Sequence, residues 1–175
     1  EIAPSSLRRA SQIHHIAAIQ SEYSLSTRAP EMGLVQTCKD LGTALVAFSP
    51  VGRTLLTDNP LSYDFAQSLD FTKVNPRFNQ PNYDHNISIS NKFRNYSRDI
   101  GVASATLSIA WLLAKDDHII PIPGTRSVDH LEELVIATEF DMTDKIMAEI
   151  ENILPLGWAY GDRYSDAQWN GPERY

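Results

Sequence analysis

Apolar residues recur at helical spacing in several segments of the chain. Leu34, Cys38 and Leu41 follow one another at steps of four and three, and Gly42 stands where a helix C-cap belongs. Further helices are predicted behind Pro4, from Ile89 to Gly101, from Ser104, from Val128 and from Thr143. Ser104, Ser127 and Thr143 are expected to cap the last three of these helices, because hydroxyl side chains are preferred at that position.

Short apolar runs lie between the predicted helices, at Ile16–Ser24, Thr43–Pro50 and Ile119–Ile122. Continuous apolar runs that alternate with helices across short connections are typical of parallel β-strands. Three parallel strands would leave two bare edges, and they cannot close a barrel by themselves. The pattern therefore predicts a piece of a larger α/β fold.

The alternation breaks in the segment 53–84, which is rich in Asn, Asp, Pro and Ser and also holds five aromatic residues. A structureless loop of this length is unusual inside a compact domain, where such loops often act as binding loops or lids. Disorder is the competing interpretation. The aromatic residues favour a loop that packs on the rest of the protein, so we expect 53–84 to be a long loop on the active-site side.

Composition and charge limit the classes of partner. The 175 residues are 42% hydrophobic and 21% charged, as in ordinary soluble globular domains, and the formal net charge is -7. An acidic chain with scattered basic residues argues against a nucleic-acid partner. No apolar run approaches the ~20 residues that a membrane span requires, and no targeting leader is recognisable. The chain begins at Glu1 and not at methionine, so we expect it to be processed or part of something longer.

Cysteine and histidine offer little chemistry. Cys38 is the single cysteine, so no internal disulfide can form and a cytoplasmic setting is expected. Cys38 could be a nucleophile, but its apolar neighbours favour a small buried hydrophobic residue. The pair His14-His15 does not predict a metal site, because adjacent side chains point apart and no further ligands stand at metal-binding spacing.

Two turns that follow predicted strands hold the candidate chemistry. The stretch "VAFSPVGR" ends in Gly52 and Arg53, and "IIPIPGTRS" contains Gly124 and Arg126. In each case a buried strand leads to a glycine that exposes its backbone and to a lone arginine. This design suits an anionic ligand, because a guanidinium pairs well with phosphate or carboxylate.

Five motifs in a fixed order resemble the aldo-keto reductases, with the pyridoxal-reductase-type and general stress-type members as the most similar branch. The motifs are "QSEYSL" at 20–25, "AFSPVGR" at 47–53, "PRF" at 76–78, "SIAWLL" at 108–113 and "IPIPGTRSVDHLEE" at 120–133. The resemblance implies an eightfold (β/α)8 barrel, of which residues 1–175 would form the C-terminal half with strands six to eight. It also implies reduction of small aldehydes or ketones with NADPH.

The resemblance assigns cofactor contacts to both turns. Gln20 matches the residue that holds the nicotinamide carboxamide, and Phe48 matches the ring that stacks under the nicotinamide. The loop along the pyrophosphate would consist of Ser49, Pro50, Val51, Gly52 and Arg53. The 2′-phosphate of NADPH would be received by Gly124, Thr125 and Arg126, with His130 near it, at the start of a helix whose amides favour an anion. Glu133 matches the residue that recognises the adenine amino group.

This sequence departs from the family pattern at three places. Leu134 stands where asparagine is usual, "PVGR" replaces the commoner "PLGR", and "LLTDN" replaces "FLTG" after the first turn. The catalytic Asp, Tyr, Lys and His of the family belong to the first half of the barrel, so we assign no catalytic residue here. The alternative is a non-catalytic protein of the same family, either a truncated product or a regulatory module in the manner of potassium-channel β subunits, that binds NADP(H) or a protein partner. Pairing with a missing N-terminal half, or with another half-barrel, is expected in either case.

Overall fold

The computed structural model describes residues 1–174, in which three β-strands alternate with seven α-helices. In chain order the elements are α1 (Pro4–Ser11), β1 (Ala18–Glu22), α2 (Leu34–Leu41), β2 (Ala44–Phe48), α3 (Tyr63–Ser68), α4 (Asn82–Asp99), α5 (Ser104–Leu113), β3 (Ile119–Pro121), α6 (Val128–Ile136) and α7 (Asp144–Ile153). Single 3-10 turns lie at Ala29–Glu31, Gly52–Thr54 and Pro76–Phe78. This α/β succession confirms the three predicted strands, each of which is shorter than its apolar run.

The three strands form one parallel sheet in the order β1-β2-β3. Gln20 lies opposite Val46, and Val46 lies opposite Ile120, so the three side chains share one face of the sheet. The arrangement is part of a (β/α)8 barrel wall, with all strand carboxyl ends at the same edge. In barrels of this class that edge is where loops build the functional site.

The two faces of the sheet differ in burial. Ile19, Leu45 and Ile119 point toward the helices and join the main core around the fully buried Trp111. The opposite face is open, and Ile120 remains 48% exposed on it. In a closed barrel this second face would point to the interior, so its apolar character fits a partial barrel.

Helix ends follow the predicted capping in most cases. Gly42 ends α2 at a φ of +63°, and the hydroxyls of Ser127 and Thr143 accept hydrogen bonds from backbone amides at the starts of α6 and α7. The prediction for Ser104 was wrong. Its hydroxyl donates to the carboxylate of Asp58 at 2.6 Å and so does not cap α5; Ser104 is instead the first residue of that helix.

The expectation that 53–84 would be structureless was also wrong, because the segment contains α3 and the start of α4. A small second core holds it together, formed by Leu55, Ala66, Phe78 and Tyr83. The aromatic residues that were expected to pack against the protein therefore do so in part, while Phe65 stays exposed.

The burial of Cys38 agrees with its interpretation as a small hydrophobic residue. Cys38 is fully buried within α2, and its burial raises the pKa of the thiol to about 11.

Across residues 1–174, no helix combines the length and apolar character needed to cross a membrane. The described chain also holds no group of three or more His, Cys, Asp or Glu side chains that could bind a metal.

Candidate cofactor and ligand site

The turn after β2 has an unusual backbone. Ser49, Gly52, Arg53 and Thr54 all have positive φ angles, of 51°, 59°, 54° and 79°. Three of these residues carry a side chain, and each non-glycine residue in this conformation costs on the order of 1 kcal/mol or more. Such strain is concentrated at functional sites, so the turn qualifies as a candidate site on geometry as well as on sequence.

Gly52 is required at its position for a second reason. A Cβ atom built there would lie 2.7 Å from the Oγ atom of Ser26, in the loop that follows β1. Contacts this short essentially do not occur, so the turn after β2 approaches the loop after β1 as closely as only glycine permits. Ser49 and the buried Pro50 form the rest of the turn, whose amide at Gly52 donates to the carbonyl of Ser49 at 2.9 Å.

The turns after β2 and β3 meet at a cavity of about 170 Å³. Four of the residues predicted from sequence line it, namely Val51, Gly124, His130 and Glu133. The remaining lining comes from Thr54, Thr57, Asp58, Asn59, Ala105, Pro123 and Leu134. The order of the strands thus brings residues up to 83 positions apart, from Val51 to Leu134, to one pocket.

The start of α6 forms one side of this pocket. Ser127 caps the helix by accepting from the amide of His130, and Thr125 Oγ1 accepts from the amide of Ser127 at 3.3 Å. Thr125 and Arg126 are exposed and stand beside the cavity without lining it. The free amides of a helix N-terminus, together with a guanidinium, suit an anionic group, so the residues present fit the phosphates of a dinucleotide.

The two residues assigned to the nicotinamide lie on neighbouring strands. Gln20 is exposed on the open face of β1, and Phe48 is half-buried at the end of β2. Phe48 lies opposite Glu22 in the register, two residues beyond Gln20 along β1. An amide and an aromatic ring therefore occupy the same open face at the carboxyl edge of the sheet.

Arg53 does not point into open solvent. Its Nη2 atom donates to Glu22 Oε2 at 2.7 Å, and its guanidinium lies 4.1 Å from the ring centre of Phe71. Glu22 is buried, and it also accepts from Thr27 Oγ1 at 2.9 Å. Through these contacts Glu22 supports the end of β1.

Asp58 is a lining residue that the sequence did not single out. Its carboxylate accepts from the hydroxyl and from the backbone amide of Ser104, at 2.6 and 3.2 Å. It thereby fixes the loop after β2 to the start of α5 and places a negative charge at the cavity. The sequence feature that could have pointed to Asp58 is its position in the "LLTDN" segment, which departs from the family pattern.

Comparison with known proteins gives the family. The model of the group described as "Aldo/keto reductase family" matches residues 2–155, which is most of the chain. The chain belongs to the aldo/keto reductase family. A relative from Schizosaccharomyces pombe named "Aldo-keto reductase yakc [NADP(+)]" is 32% identical over 94% of this chain. A Glycine max protein named "Probable aldo-keto reductase 1" is 31% identical over 100% of it.

Solved structures of aldo-keto reductases share the fold. The glycerol dehydrogenase AKR11B4 from Gluconobacter oxydans superposes with a TM-score of 0.72 over 87% of this chain, at 20% identity. A thermostable aldo-keto reductase, Tm1743, superposes with a TM-score of 0.54 over 78% of it, at 26% identity. The aldo-keto reductase chain described here spans about half the length of its curated relatives, 49% in both cases above.

Proposed function

We propose that this chain supplies the NADP(H)-binding half of an aldo-keto reductase that reduces aldehydes or ketones to alcohols. The observation that carries the proposal is the cavity shared by Val51, Gly124, His130 and Glu133. Val51 and Gly124 lie in the turns after two neighbouring strands, and His130 and Glu133 lie in α6. The family resemblance assigns all four to cofactor contacts. The name of the Schizosaccharomyces pombe relative, which includes NADP(+), supports the same cofactor.

The residues of this chain would bind and orient the cofactor. Glu133 and the helix start at Ser127 would hold the adenosine end, while Gly52 lets the chain pass closely along the pyrophosphate. Gln20 would fix the nicotinamide amide, and Phe48 would support the ring by stacking. When bound, NADPH would supply the hydride, and the proton donor would come from the catalytic residues that the resemblance places in the preceding half of the barrel.

The open face of the sheet supports a role as one half of a barrel. Ile120 on β3 is 48% exposed, and Leu131 and Val135 on α6 form an exposed apolar surface beside it. We infer that residues 1–175 form the C-terminal half of the barrel, with the other strands covering this surface. The segment 53–84 would then lie at the active-site end, where its helix α3 and its second core shape the rim.

Cofactor binding by the native protein tests the proposal. Titration of NADPH, followed by fluorescence, is expected to show saturable binding. Replacement of Glu133 by Gln should weaken that binding by about 10-fold or more, because a charged acceptor for the adenine amine is lost. The neighbouring exposed Glu132 does not line the cavity, so E132Q is the matched control and should change the affinity by less than about 2-fold. Absence of NADPH binding would overturn the proposal, and binding without aldehyde turnover would favour a non-catalytic module.

A further inference from the structure

A second and larger cavity, of about 440 Å³, lies between the loop that follows β1 and the tail that follows α7. Arginines from distant parts of the chain stand in its wall, namely Arg28, Arg77, Arg163 and Arg174. Trp169 and Leu156 contribute apolar surface beside them. The proposed cofactor contacts do not use this cavity, although it lies near the same edge of the sheet.

Arg163 is almost completely buried, with 6% of its surface exposed. Its Nη2 atom pairs with the carboxylate of Glu1, but its Nη1 atom is buried and has no hydrogen-bond partner within residues 1–174. The guanidinium lies 5.0 Å from the ring centre of Tyr164 and 4.8 Å from that of Trp169. The two aromatic rings hold the charged group in place and leave one of its donors unused.

Arg77 also has a donor that is not used. Its Nη1 atom donates to Thr27 Oγ1 at 2.6 Å and lies 3.7 Å from the Glu22 carboxylate, while its Nε atom donates to the carbonyl of Gly161 at 3.3 Å. Nη2 makes no hydrogen bond or ion pair within the part of the chain that the structure describes. Burial lowers the pKa of Arg77, and the charges of Arg163 and Arg53 act in the same direction.

The carboxylates near the cavity are already engaged, whereas arginine donors remain unused. Arg53, Arg77 and Arg163 share the buried carboxylates of Glu22 and Glu1, and the cavity wall itself holds Asp162 and Glu173. The exposed Asp162 stands nearby, with its oxygens engaged by the indole of Trp169 and by the amide of Arg163. A buried guanidinium with unused donors is costly, and a carboxylate or phosphate group satisfies it with two parallel hydrogen bonds.

We infer that the cavity between Arg77 and Arg163 binds the anionic group, a carboxylate or a phosphate, of a small ligand. Arg77 contacts Glu22, which lies opposite Phe48 in the strand register, so the anion site is adjacent to the proposed nicotinamide position. This inference rests on the proposed function in one respect: it assigns the substrates to carbonyl compounds that also carry such a group. The carbonyl carbon would face the cofactor while the anion is held at the arginines.

Binding to the native protein tests the anion site without any turnover. Calorimetric titration with benzoate and with inorganic phosphate is expected to show saturable binding by at least one of the two probes. R163Q should weaken this binding by about 10-fold or more, and R163K should retain part of it because the charge remains. R98Q removes an exposed arginine at the end of α4 and serves as the control. No binding of either probe to the unmodified protein, or equal binding to R163Q, would overturn the inference.

Paired substrates distinguish the two anionic groups. The ratio kcat/KM is compared for benzaldehyde, 4-carboxybenzaldehyde and 4-formylphenyl phosphate, which share one reacting aldehyde. The unmodified protein should prefer one of the anionic aldehydes by about 10-fold or more over benzaldehyde, and R163Q should lose that preference mainly through KM. Equal rates for all three would contradict the assignment of the substrate class. Anion binding that depends on Arg163, in a protein that reduces none of them, would refute the reductase and leave the anion site standing.

Discussion

Glu22 and Arg53 join the end of β1 to the strained turn after β2 through a contact of 2.7 Å between Oε2 and Nη2. The two residues are 31 positions apart in sequence, and the carboxylate is buried while the guanidinium is mostly covered by Phe71. The pair therefore fixes the turn that is proposed to follow the pyrophosphate. It also keeps Arg53 in place before any cofactor arrives.

Replacement of Glu22 by Gln should reduce the free energy of unfolding by about 2–3 kcal/mol, because Arg53 and Arg77 would lose their shared buried counter-charge. Urea denaturation measures the change. The exposed pair Lys73–Asp70 provides the control, since D70N removes an ion pair that water already screens and should have no measurable effect. Equal stability of E22Q and the unmodified protein would show that the pair does not hold the turn.

Replacement of Gly52 by Ala should be more harmful than the same change at Gly101. Both glycines have positive φ angles, of 59° and 77°, so both variants strain the backbone. Only at Gly52 would the new methyl group also meet Ser26 Oγ, at 2.7 Å. We expect G52A to cost about 1–3 kcal/mol more than G101A in thermal unfolding, and to weaken NADPH binding selectively. The double variant S26A/G52A should recover part of the difference; no recovery would point to another cause.

Asp58 should limit the affinity for NADP(H). Within residues 1–174, the cavity of about 170 Å³ is lined by two carboxylates, from Asp58 and Glu133, and by no lysine or arginine. D58N keeps an oxygen for Ser104 and removes one charge, so NADPH should bind about 3- to 10-fold more tightly while NADH changes little. D99N makes the same change of net charge at the end of α4, away from the cavity. A loss of NADH affinity in D58N would instead mean that the carboxylate holds a ribose hydroxyl.

The 175-residue chain alone should self-associate, since its open sheet face and the outer side of α6 expose apolar surface. Sedimentation at increasing concentration is expected to show growing oligomers. V135K and I120K should shift the chain toward the monomer, because each places a charge in that surface. Ile13 is 90% exposed, but it follows α1 and is not part of this apolar surface, so I13K should have no such effect. A clean monomer of the unmodified chain with cooperative unfolding would contradict the half-barrel assignment.

Cys38 should react slowly with thiol reagents while the protein is folded. Burial raises its pKa to about 11, so at pH 8 the thiolate fraction is about 200-fold below that of the unfolded chain. The folded state holds this proton more tightly, so the stability it contributes is present below about pH 8.5 and is lost as the pH rises toward 11. Colorimetric thiol titration in buffer and in urea measures the difference. Equal rates would show that α2 opens readily.

The regular elements could be predicted because their signals are local. In α2 the helical spacing of Leu34, Cys38 and Leu41 and the C-cap at Gly42 all lie within nine residues. The features that were missed depend on distant partners or have weak patterns. Asp58 acts on Ser104 across 46 positions, and α3 buries only Ala66, which leaves no periodicity to detect.

The candidate site shows the same division. The pattern of a strand followed by glycine and arginine pointed to both turns, but the role of each residue came from family resemblance. The shared cavity of Val51 and Glu133 depends on β2 and β3 lying side by side, which single-strand patterns do not specify. The second cavity depends on Arg163 in the tail, where no apolar period predicts any element.

The strand order has a consequence for how the protein is made. Each strand pairs with the one that precedes it along the chain, β2 with β1 and β3 with β2. When a new strand leaves the ribosome its partner is already present, so the sheet can grow strand by strand in chain order, even though β3 pairs with β2 across 74 positions, from Leu45 to Ile119. Only the most recent strand then offers a growing edge.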